Sequence, residues 1–259
     1  MNNPTLQNNQ SRGITRQGLR LWGLLFVALG MAGQSLIQNG LLRVNNLTTD
    51  ELLLMLDNSE KSTIAAVAVV LQFVLAGAVP VFSFLLADGF VRTSSVKNYF
   101  LRVAGVAVLS EIPFNLAMSG KWFDLGSRNP VFGMVLALLV LYFFRLYAGK
   151  TFKNVLIKIL VVAVAIVWVE MLHIYDGAAI TVMASLLYLL RGKRSWQVLG
   201  GCMAMFLCTA FSIFYIGAPI IFLVVHFYND EPGEGNKVVN YLAYPVILLV
   251  LGLVGMYAL

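Results

Sequence analysis

Two carboxylates stand where hydrocarbon does not tolerate charge. Asp88 and Glu111 each lie in a strongly apolar run within residues 80–115, and a short basic connector joins the two runs. An ionisable side chain at membrane depth is costly, so it faces a partner, a cavity or water. Arg92, four residues after Asp88, shares its helix face, and the two read as a structural ion pair. Glu111 has no such partner in its own helix. It reads as a functional or substrate-lining carboxylate, a group that can hold or move a proton.

Other polar residues lie near Glu111 in sequence or at the same depth. Asn115 is four residues on, on the same face, with Pro113 bending the helix between them. The next connector brings Arg128 and Asn129, and the one after carries Glu170, His173 and Asp176. Gln34 in the first span lies in the same half of the membrane. These groups are expected to converge on one polar cavity open to the outside. At the inner side, Asp88, Arg92, His226, Tyr228 and Asn229 form a second set within reach of a cytoplasmic substrate. Glu170 and His173 share a face, but no further ligands follow at recognisable spacing, and no metal is expected.

Helices must position these residues, since a lipid-spanning chain satisfies its backbone internally. The apolar runs read as spans are 21–38, 62–91, 99–118, 130–147, 155–174, 177–190, 196–214, 218–228 and 238–257, the sixth and eighth being shorter than the usual crossing length. Pro80 predicts a kink in the second. Gly217-Ala218-Pro219 predicts the hairpin between the seventh and eighth. Thr49 is the expected cap of a short interfacial helix in the first connector. The fold class is therefore all-α, a polytopic transmembrane bundle of about nine spans. Residues 1–20 form a disordered cytoplasmic tail, and 21–259 a single helical domain.

An amino end inside and a carboxyl end outside place fourteen of the eighteen Lys and Arg residues, Arg12 among them, on the cytoplasmic face. Composition agrees. The chain is 59% hydrophobic and 12% charged, and a soluble domain would have roughly twice that charge. The net charge of +6 then reports topology and not nucleic-acid binding. Cys202 and Cys208 lie six apart in one apolar run and imply no disulfide framework.

The order of these features resembles the TraX family of membrane proteins, over about residues 80–257. Its most specific pieces are Pro80-Val81-Phe82-Ser83-Phe84-Leu85-Leu86 and Ser110-Glu111-Ile112-Pro113-Phe114-Asn115. Asn98-Tyr99-Phe100, Tyr175-Asp176-Gly177, Phe227-Tyr228-Asn229 and Tyr241-Leu242-Ala243-Tyr244-Pro245 follow in order. The resemblance implies an acyltransferase of the bacterial cytoplasmic membrane, connected with conjugation. It would acetylate a pilin-like or other small membrane peptide, or an envelope acceptor, from acetyl-CoA. On that reading Glu111 or His173 is the base, and Asn115, Arg128, Asn129, Asp176 and Gln34 hold the substrate. Asp88, Arg92, Lys97, Arg102 and Tyr228 line the donor's inner mouth, with the three cations facing its phosphates.

The chain departs from the family's pattern at Gln34-Ser35, where an Asp-His pair is usual, and at Ala76, Arg92 and Ile247. Three histidines of the pattern are missing. A second reading follows: a scaffold that has kept its shape and lost its chemistry, and that binds a partner as a maturation or immunity factor. A transporter using the same polar residues is the third; no inverted repeat marks the sequence.

Overall fold

The computed structural model describes residues 13–258. Among them the chain is helical throughout, in the order α1 (Arg16–Ala32), a π-helical stretch (Gly33–Leu41), α2 (Thr49–Asp57), α3 (Ser59–Ala76), α4 (Ala78–Arg92), α5 (Val96–Ser119) and α6 (Val131–Leu146). Then come α7 (Phe152–Met171), α8 (Gly177–Leu189), α9 (Arg194–Cys208), a 3-10 stretch (Ile213–Ile221) running into α10 (Phe222–His226), and α11 (Lys237–Tyr257). Five segments are long and apolar enough to cross a membrane: 16–41, 59–92, 96–119, 152–171 and 238–257. Three shorter apolar helices accompany them. Most of the expected tail, residues 1–12, lies outside the described residues, as does Arg12; the rest of it already contains the start of α1.

The surface is that of a bundle in lipid. Only 11% of the apolar window of α7 is buried inside the protein, and Val164, Val167 and Trp168 are exposed on it. Apolar surface on that scale needs hydrocarbon or a partner around it. Helix–helix contact instead uses small residues that let backbones approach. At Gly30 an added Cβ would lie 2.2 Å from the Cβ of Leu75, so α1 and α3 cross there. At Gly252 it would lie 2.7 Å from the Cβ of Leu116, in the extensive contact of α11 with α5.

Three local details differ from the sequence reading. The break in the second span falls at Gly77, between α3 and α4, and not at Pro80 itself. Pro80 has no N–H to offer the Ala76 carbonyl four residues earlier, so the disruption appears one turn upstream. The seventh and eighth spans turn at residues 209–212, where Ser212 accepts from Phe214 N, and Pro219 sits inside the 3-10 stretch. The cap of α2 is Thr48, because only from that position does Glu51 fall three residues on and close a capping box. The Thr48 backbone and hydroxyl donate to the Glu51 carboxylate and hold its pKa below the usual range.

One end of the bundle is tied by ions and by backbone pairing. Asp88 accepts from Arg16 at 2.9 Å and Arg92 at 2.8 Å, and Asp230 joins Arg92 at 2.6 Å to Arg194 at 3.2 Å. The segment before α1 is stitched to the connector before α11. Ile14 N donates to Phe227 O, Asn229 N to Ile14 O, and Arg16 N to Glu231 O.

Candidate active site

At the opposite end the groups expected around one cavity divide into three. Glu111 is the acceptor of the first. Its Oε2 receives the Asn129 side-chain amide at 2.7 Å and the Asn129 backbone N–H at 3.2 Å, and its Oε1 lies 3.8 Å from the Arg128 guanidinium. Asn129 is wholly buried. It also donates to Ala107 O at 2.8 Å and accepts from Val131 N at 2.9 Å, which pins the start of α6 to the middle of α5. Glu111, read from the sequence as a substrate-lining carboxylate, is thus held by a connector and does not line the cavity described below.

The second group is made of amides. Gln34 accepts from Gln72 at 2.9 Å and donates to Met118 O at 3.2 Å, and Asn39 donates to Met118 O at 3.0 Å. Together they satisfy the final carbonyls of α5, which have no partner within the helix. The π-helical stretch supplies both Gln34 and Asn39. Asn115 is buried apart from these, and its Oδ1 has no hydrogen-bond partner among the described residues.

The third group centres on Asp176, and the first group holds it in place. Arg128 N donates to His173 O at 2.8 Å, and Tyr175 N donates to Arg128 O at 2.9 Å. The turn between α7 and α8 is thus clamped to the connector that Glu111 anchors. His173 and Asp176 both take left-handed backbone conformations in this turn, with φ of 51° and 56°. Asp tolerates that region better than a branched residue does. The Asp176 carboxylate accepts a hydrogen bond from the Tyr215 hydroxyl.

Asp176 also lines a cavity of about 200 Å³ that the sequence reading did not foresee. It begins beside Arg20, Tyr99 and Asn240 near the ion-paired end and finishes at Tyr175 and Asp176. On α5 its lining runs from Tyr99 to Phe114, a helical rise of ~22 Å. The walls between are mainly aliphatic, from α1, α4 and α5. Among the described residues Asp176 is the one carboxylate of its lining and Arg20 the one cation. Tyr99, Tyr175, Tyr241 and Tyr244, each in a motif quoted above, all line it.

Several expected site residues lie elsewhere. His173 contributes only its backbone to the clamp; its side chain is exposed and does not line the cavity. His226 is exposed as well. Asp88 and Arg92 are occupied with each other and with Arg16 and Asp230, and Tyr228 donates to Asp88 at 3.2 Å. Arg102 donates to Asn98 O, and Lys97 is exposed. None of these lines the cavity. Arg20, which charge counting assigns to topology alone, does. Replacing His173 by asparagine, which suits the left-handed backbone, is expected to change stability by no more than about 0.5 kcal/mol. Thermal unfolding of the variant in detergent checks this.

The family model described as TraX protein matches residues 51–255. No curated protein and no solved structure matches the chain significantly.

Proposed function

The chain belongs to the TraX family, and from that premise we propose that it is an integral membrane acyltransferase with Asp176 at its reacting centre. The observation that carries this reading is the elongated cavity ending on a single carboxylate. Acyl transfer to an amine needs a base for the acceptor's proton and donors for the developing oxyanion. Asp176 is placed to take that proton, with Tyr215 fixing its carboxylate. The Tyr175 and Tyr244 side chains line the same end and bring hydroxyls as donors. The new bond joins the acceptor nitrogen to the acyl carbon as the bond to the leaving thiolate breaks. Acetyl-CoA supplies the acyl thioester, and the acceptor is a small membrane peptide or pilin-like chain. In this reading Glu111, Arg128 and Asn129 are positioning residues.

The same proposal gives the bundle nine passes in the bacterial cytoplasmic membrane, with the ion-paired end inside. The fourteen basic residues on that side support this orientation.

A second reading, a binding scaffold without chemistry, is favoured by one observation: neither histidine lines the cavity. The purified protein in nanodiscs separates the two. With labelled acetyl-CoA at millimolar concentration and a hydrophobic peptide bearing a free amino terminus, saturable donor binding and label on the peptide are expected. No measurable binding removes the enzyme reading and leaves the scaffold.

A further inference from the structure

Arg20 is the cation of the cavity lining among the described residues. It lies on α1 at the mouth of the cavity and is only partly exposed. Among the described residues no carboxylate pairs with it. Arg16, one turn away, is paired with Asp88, and Arg92 and Arg194 are paired as well. Among the described residues Arg20 donates to the Gln17 side-chain oxygen at 3.1 Å. Gln17 in turn donates to Asn240 Oδ1 at 2.9 Å. The α1 and α11 sides of the mouth are thus bridged by one neutral amide, which an anion can replace on the guanidinium.

We propose that Arg20 and Asn240 form the subsite for a phosphate carried on a long narrow arm, with the arm running down the cavity towards Asp176. An Arg guanidinium is the residue type best suited to such an oxyanion, through paired N–H donors. The Asn240 amide and the Tyr99 and Tyr241 side chains line the mouth beside it. The aliphatic walls and the ~22 Å length suit an extended arm and not a compact ligand. This deepens the acyl-transfer reading by moving the donor's anionic end from Arg92, Lys97 and Arg102 to Arg20. Two sources share the chemistry: a soluble phosphopantetheine-type arm, and a single-chain lipid phosphate from the bilayer.

Binding is measured in nanodiscs by calorimetry, without turnover. The probes are 4′-phosphopantetheine, pantetheine without its phosphate, lysophosphatidate and inorganic phosphate. The proposal expects one phosphorylated arm to bind at least tenfold more tightly than both pantetheine and inorganic phosphate. Phosphopantetheine in that position identifies the soluble source, and lysophosphatidate the bilayer. Arg20→Gln is expected to weaken that ligand about tenfold or more, as for a lost charged hydrogen bond, and Arg20→Lys to recover part of it. Asn240→Asp keeps the acceptor for Gln17, adds a negative charge at the mouth, and is expected to weaken binding as well. Equal affinity with and without the phosphate, or unchanged affinity in Arg20→Gln and Asn240→Asp, overturns the proposal. Arg20-dependent binding without acyl transfer would sink the enzyme reading and leave this subsite standing.

Discussion

Asp176→Asn is expected to slow acyl transfer by about 10²- to 10⁴-fold, the range for losing a general base. The substitution is close to isosteric, and the asparagine oxygen still accepts from the Tyr215 hydroxyl. The fold and the clamp on the turn are therefore retained, and donor affinity should change little. Single-turnover transfer of label from acetyl-CoA, measured beside donor binding, separates the two effects. If transfer proceeds at the parent rate in Asp176→Asn, Asp176 is not the base.

Asn129→Ala is expected to be the most damaging single change to stability. Its side chain, itself wholly buried, serves Glu111, Ala107 O and Val131 N at once. Each buried group left unpaired costs ~1–3 kcal/mol, and Arg128 still attends Glu111. A loss of about 3–5 kcal/mol follows. Glu111→Gln should cost far less, because a glutamine oxygen still accepts from the Asn129 amide. Unfolding in graded SDS, followed by tryptophan fluorescence, ranks the two variants. If Glu111→Gln unfolds first, Asn129 only fills space and is not the anchor of the connector. Donor binding is also expected to fall in Asn129→Ala, since Arg128 beside it clamps the turn that carries Asp176.

Much of the helical layout was legible because membrane crossing demands long apolar runs, and those survive any tertiary rearrangement. At Glu111 the sequence marks a charge that must be answered, but it reads as a substrate-lining acid where the structure has a carboxylate held by Asn129 and Arg128. Its partners, eighteen residues or so along the chain, were recognised as neighbours in the same half of the bundle, but not as the clamp on another turn. That clamp consists of backbone bonds between Arg128 and residues 173 and 175, and side-chain types say nothing about such bonds. Arg20 was hidden by a different limit. Arg16 and Arg20 are one turn apart and identical to a charge count, yet one meets Asp88 and the other a cavity. Only the path of α11 past α1 makes that distinction, and α11 begins more than 200 residues later.

Tyr241 and Tyr244 of α11 line the cavity together with Leu24 and Val27 of α1. Gly252 and Gly255 seat α11 against Leu116 and Ser35. Translation thus emits the α1 wall more than 200 residues before the α11 wall. A ribosome halted before residue 237 leaves a nascent protein with the turn that carries Asp176 written but the α11 wall of the cavity absent. The cavity lining is complete only once α11 partitions into the bilayer and docks.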